Sequence, residues 1–96
     1  MEVDINLLRK EIDEIDLEIV TLIENRMELC RRMGEVKANG GLPVRDEDRE
    51  TEIMRRVGAL CGLDRNRHSL ISIYERILSE SRRLQRPTED PVAIAA

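Results

Sequence analysis

The sequence predicts an all-α fold, with three helices per chain, one of them very long, in a helical dimer. Three observations predict it. Apolar residues at Ile5, Leu8, Ile12, Ile15, Ile19, Leu22, Leu29 and Met33 step by three and four, with no proline and no glycine before Gly34, which is the signature of one continuous helix. Aromatic residues are 1% of the chain while charged residues are 38%, leaving too few β-favouring side chains for a sheet. Breaks at Asn39-Gly40-Gly41, Pro43 and Gly62 then divide the remainder into two further helices. Residues 1–87 make one helical domain, and residues 88–96 read as a loose C-terminal tail.

The first helix, over residues 4–39, would be about 54 Å long at about 1.5 Å per residue. A compact globule of this chain length has a radius of gyration of only about 12–13 Å. The helix must therefore project from any single-chain core, and its apolar seam needs a second chain to cover it. Consecutive glycines at 40 and 41 supply a C-cap and turn, and Pro43 forbids continuation. Asp46, Glu47, Asp48 and Glu50 crowd the start of the second helix, where negative charge suits the macrodipole. Its apolar face is Ile53, Met54, Val57, Leu60 and Cys61, and it ends near Gly62. Asp64 is the expected N-cap of the third helix, whose stripe runs through Leu70, Ile71, Tyr74, Ile77, Leu78 and Leu84 and stops before Pro87.

A net charge of -4 argues against a nucleic-acid or acidic-membrane partner. No apolar run approaches membrane-spanning length, and Glu2, Asp4, Arg9 and Lys10 interrupt any signal-peptide core, so a cytoplasmic location is expected. Cys30 and Cys61, on apolar helical positions without metal-ligand spacing, read as reduced core thiols. With His68 the only histidine, a His-Cys metal site or a catalytic triad has little to build on. Asp46, Asp48 and Glu50 are a poor metal cluster, because alternate helical positions diverge by about 200°. No metal and no cofactor is expected.

The functional information lies in polar residues standing where apolar ones belong. Arg26 occupies a seam position of the first helix, and read alone it is a register-setting residue whose guanidinium snorkels to water. Lys37 returns almost to the same face, about 16 Å further along the axis; read alone it complements the helix C-terminus. Two long side chains at that separation can converge on one small anion. In the second helix Arg49 lies at the edge of the apolar stripe, with Asp46 and Glu50 beside it; the plainer reading is first-turn acids and a surface ion pair of little worth. In the third helix the stripe continues through Ser81 and Gln85, which are also what a fraying helix end would carry. Buried and unmatched, such charges would be very costly, and a bound dianion would resolve the conflict. Arg9 lies about 25 Å before Arg26 and on another face. It can join the same site only from the partner chain of an antiparallel dimer, and otherwise it is a solvated surface residue.

These residues resemble the all-helical class of chorismate mutases, small intertwined homodimers of the shikimate pathway, over about residues 5–85. The likeness rests on Leu8-Arg9 with Ile12-Asp13-Glu14-Ile15-Asp16, on Glu24-Asn25-Arg26, on Gly34-Glu35-Val36-Lys37, on Pro43-Val44-Arg45-Asp46-Glu47-Asp48-Arg49-Glu50, and on Ser79-Glu80-Ser81-Arg82-Arg83-Leu84-Gln85. Each piece alone is weak, and the set at these spacings is specific. The resemblance implies that Arg26 and the partner chain's Arg9 hold the two carboxylates of the substrate, and that Lys37 reaches a carboxylate and the ether oxygen. It implies that Gln85 donates to the same ether oxygen, that Glu50 and the backbone near Asp46 take the ring hydroxyl, that Arg49 supports this cluster, and that Ser81 adds a carboxylate contact.

The reaction so implied is the rearrangement of chorismate, a small dicarboxylate, to prephenate in aromatic amino acid biosynthesis: a unimolecular [3,3] shift with no covalent intermediate. That chemistry needs no nucleophile, metal or histidine base. Negative charge grows on the ether oxygen as its bond breaks, so donors there act more strongly in the transition state than in the ground state. Arginines holding the enolpyruvyl arm over the ring add an orientation effect. Competing readings are an isochorismate pyruvate-lyase on the same fold, whose members lack the acid supplied here by Glu50; a mutase domain that docks on another aromatic-pathway enzyme for full activity; and a helical dimerisation module with no ligand.

Overall fold

A computed structural model describes residues 4–87 of the chain; the expected tail, 88–96, lies outside them. Three helices follow one another: α1, Ile5–Asn39; α2, Glu47–Leu60; and α3, Asp64–Gln85. The described residues contain no strand, and the fold is all-α.

The helix ends follow from local chemistry. Asp4 caps α1, its carboxylate accepting from the Asn6 N–H at 2.8 Å. At the other end Gly41 takes a left-handed conformation, φ +67°. The Gly41 N–H then reaches the Ala38 carbonyl at 3.3 Å and the Leu42 N–H reaches the Lys37 carbonyl at 2.8 Å, the paired bonds of a Schellman stop. This turn sends the chain back over the last turn of α1. Asp46 caps α2 by accepting from the Arg49 N–H at 2.9 Å, and Glu47, Asp48 and Glu50 fill the first turn.

α3 packs against both other helices, which do not pack on each other. It is the common wall. Leu78 is the one apolar side chain buried outright among the described residues, and it faces the space between the three helices. The N-terminal half of α1 runs free of α3: Ile12, Ile15 and Leu22 are each more than half exposed. The molecule measures 60 × 35 × 16 Å with a radius of gyration of 17.4 Å, well above the value of about 12–13 Å for a globule of this length. Among the described residues no helix is long and apolar enough to cross a membrane.

Helix α2 stops at Leu60, near Gly62 as expected, where Cys61 turns extended. Three local expectations are corrected. Leu60 is 77% exposed rather than part of the packed face. Asp64 is the first residue of α3 and not its cap: Leu63 holds the cap position without a side-chain bond, and the Asp64 carboxylate pairs with Arg67. The two thiols are free but only half-buried, not core; that of Cys61 contacts the Leu63 carbonyl at 2.9 Å.

Candidate active site

Between the C-terminal half of α1, the start of α2 and the end of α3 lies an open hollow of about 430 Å³. Leu29 and Met33 of α1, Val44 of the connecting turn, Ile53 of α2 and Leu78 of α3 supply its apolar wall. Four cations, Arg26, Lys37, Arg49 and Arg82, face two carboxylates, Asp46 and Glu50. In a chain of net charge -4, this one region has a cationic surplus, as a site for a small dianion requires.

Lys37 is held from two sides. Its ammonium donates to the Val44 carbonyl at 2.7 Å, which the Schellman turn brings back, and to Gln85 Oε1 at 2.6 Å. An ammonium has three donors and no acceptor. Gln85 must therefore turn its amide oxygen to Lys37 and its NH₂ away, leaving that NH₂ and one Lys37 N–H for a ligand. Arg26 is fixed in the same manner. Its Nη1 donates to Ser81 Oγ and lies 3.7 Å from Cys30 Sγ. The Ser81 hydroxyl spends its own proton on the Ile77 carbonyl at 2.7 Å, so in this arrangement Ser81 is a buried acceptor that positions Arg26.

On α2, Glu50 is half-buried and accepts from Arg82 of α3. Asp46 is occupied as the helix cap. Arg49 lines the hollow, but its guanidinium reaches outward to Glu52 at 2.9 Å, so the surface pair forms with Glu52 rather than with Asp46 or Glu50. Glu80 has its carboxyl held below the usual carboxylate range by a hydrogen bond from Arg83; it is not among the side chains that line this hollow.

Of the residues singled out from the sequence, Arg26, Lys37, Asp46, Arg49, Glu50, Ser81 and Gln85 come together here. Arg9 does not: it is exposed on the projecting part of α1. Two participants escaped sequence reasoning. Arg82, beside the stripe of α3 rather than on it, gave no periodic signal. Gly34 is buried where α1 crosses α3, and a Cβ there would lie 2.4 Å from the Gln85 carbonyl oxygen. A glycine inside an otherwise uninterrupted helix was the available clue, since it costs about 1 kcal/mol against alanine unless close packing requires it.

Comparison with known proteins is consistent with this geometry. The family model described as "Chorismate mutase type II" matches residues 8–86. A chorismate mutase of Methanocaldococcus jannaschii is 35% identical over 82 residues, covering 82% of this chain and 81% of its own length. A bifunctional chorismate mutase/prephenate dehydratase of Aquifex aeolicus is 40% identical over 76 residues, covering 75% of this chain, which spans only 21% of that longer protein. The solved structure of a conserved hypothetical protein from Pyrococcus furiosus superposes with a TM-score of 0.73 at 37% identity, covering 90% of this chain and all of that one.

Proposed function

We propose that this chain, which belongs to the chorismate mutase type II family, rearranges chorismate to prephenate in the hollow between its three helices. The supporting observation is the pair of fixed donors at one end of the hollow. Lys37 and Gln85 orient each other, so that an N–H of each is left to meet the ether oxygen as charge develops on it. Donors already in place cost no reorganisation during the reaction, and this is where electrostatic catalysis gains most. Arg26, braced by Ser81, takes a substrate carboxylate; for Lys37 to share in that contact as well, its ammonium would have to give up the Val44 carbonyl. Glu50 accepts from the ring hydroxyl, with Asp46 at the neighbouring helix start. A direct carboxylate contact from Ser81 would require its hydroxyl to leave Ile77. Glu50 within the hollow favours the mutase over the related pyruvate-lyase, and the cationic surplus of the lining favours either over a bare dimerisation module.

The exposed seam of α1 supports an antiparallel homodimer in which Arg9 of a second copy closes the pocket on the other carboxylate. Half-buried free thiols support a reducing, cytoplasmic setting. The longer Aquifex relative, which carries two activities in one protein, supports docking on or fusion to another aromatic-pathway enzyme.

The direct test is to mix the purified chain with chorismate and follow loss of its diene absorbance. Lys37→Ala and Arg26→Ala should each lose on the order of 10³-fold or more in turnover while the circular dichroism spectrum stays helical. Near-parental activity in either variant would remove the assignment.

A further inference from the structure

The mechanism above leaves Arg82 without a task, although it is the fourth cation of the hollow. Among the ion pairs of the described residues, Arg82–Glu50 alone joins two helices, and its members are the best covered, at 25% and 20% exposure. The other pairs link neighbours along one helix or along the turn before α2, with at least one partner more than half exposed in every case. The pair also forms the partition between the hollow and a second, shallower one on the outer face of α2 and α3, since both residues line both.

A glutamate side chain has three rotatable bonds and, unpaired at a helix surface, samples several rotamers. Here the guanidinium of α3 takes one carboxylate oxygen, Oε1. Among the described residues no other side chain donates to Glu50, so Oε2 is left as an acceptor of defined position. Resting on the reading that Glu50 accepts from the ring hydroxyl, we infer that Arg82 is a positioning residue, acting through Glu50 to fix where that hydroxyl is taken and so how the ring sits against Lys37 and Gln85. Charge-assisted bonds of this kind supply geometry as well as energy. Among the described residues the arrangement is also the only polar tie between α2 and α3 at the site, the Arg67–Gly58 bond lying away from it, so it holds the hydroxyl-binding side of the pocket at a set distance from the wall that carries Gln85.

A double-mutant cycle tests this in the full chain. Arg82→Met keeps the length of the side chain and removes the donor. It should lower kcat/KM for chorismate by about tenfold, chiefly through KM, because a hydroxyl contact is made in ground and transition states alike. In a Glu50→Gln background the same substitution should cost less than twofold, since the charge-assisted bond is gone and the amide retains only a weak neutral acceptor for Arg82. Arg82→Lys should recover most of the loss. Equal, multiplicative losses in both backgrounds would overturn the proposal, showing that Arg82 acts on the substrate or on the fold by itself. No loss for Glu50→Gln alone would instead overturn the role of Glu50, with Arg82 falling only as a consequence. Thermal melts of all variants separate these results from unfolding, and a loss for Arg82→Met that tracks its melting temperature and is not rescued by lysine would also overturn it.

Discussion

Replacing Gly34 with alanine should disable the site without touching any group that meets the substrate. The added Cβ would lie 2.4 Å from the Gln85 carbonyl oxygen, 2.7 Å from its Cα and 2.8 Å from its carbonyl carbon. Ordinary non-bonded separations begin at about 3.5 Å, so the backbone of α3 must retreat from α1 by about 1 Å. The obstructing atoms are all main chain, so no rotamer change relieves the clash. Lys37 sits one turn beyond Gly34, and its 2.6 Å bond to Gln85 Oε1 would be stretched to the limit of a hydrogen bond. The amide would then lose the partner that aims it.

A misplacement of about 1 Å in a catalytic constellation can cost about 10²-fold in rate. Overpacking of a helix contact costs about 1–3 kcal/mol, part of it returned by the better helix propensity of alanine. Activity should thus fall much further than stability. The assay is kcat/KM from the diene absorbance at 25 °C, with the melting temperature measured on the same samples. Gly58→Ala is the control: nothing lies within 4 Å of its Cβ position in the last turn of α2, so it should gain up to about 0.5 kcal/mol and keep parental activity. If Gly34→Ala turned over chorismate within threefold of the parent, the close crossing would not be what sets the Lys37–Gln85 geometry.

Two further outcomes follow from the proposed chemistry. Gln85→Glu replaces a permanent donor with one that donates only when protonated, so its turnover should rise as the pH falls through the pKa of the new carboxyl; a flat profile would count against an ether-oxygen donor at this position. Arg9→Ala and Lys37→Ala chains, each nearly inactive, should complement when refolded together. Half of the dimers are then mixed and each holds one intact pocket, so about a quarter of parental turnover returns; no recovery, or full activity of Arg9→Ala alone, would rule out the contribution from a second copy.

Much of this arrangement is legible in the chain before any coordinates. A 3-4 apolar step interrupted by Arg26 and ending in Lys37 identifies both the long helix and two of its site residues, because helical geometry fixes which side chains share a face. Ser81 and Gln85 are found by the same rule. What periodicity does not carry is the meeting of elements. Glu52 rather than Asp46 or Glu50 takes Arg49, because once Asp46 caps α2 a guanidinium at the helix surface finds its neighbour one turn on. Arg82 is silent because a charged residue flanking an apolar stripe is the ordinary case, and only the packing of α2 distinguishes it. The cap of α3 departs from the sequence expectation for a related reason: Asp64 has a better electrostatic partner in Arg67 than an N–H of its own helix.

The topology explains why two unobtrusive residues matter so much. The groups proposed to hold carboxylate, Arg26 and Lys37, stand on α1, and those proposed to take the ring hydroxyl, Asp46 and Glu50, stand at the cap and in the first turn of α2. These helices do not pack against each other, so apart from the turn that joins them, where Lys37 holds the Val44 carbonyl, the width of the pocket is set through α3. Hydrogen bonds join both sides to that helix, Arg26–Ser81 and Lys37–Gln85 from α1 and Arg67 to the Gly58 carbonyl on α2, and one contact on each side sets the spacing at the pocket. The backbone contact at Gly34 sets α1 against α3 sterically, and the Arg82–Glu50 pair sets α2 against α3 electrostatically. The two differ in what weakens them: salt screens a partly exposed ion pair and leaves a close backbone contact untouched. Rising ionic strength should therefore loosen the hydroxyl side of the pocket before the ether-oxygen side. A rearrangement that depends on holding one small molecule in a single shape is sensitive to that order.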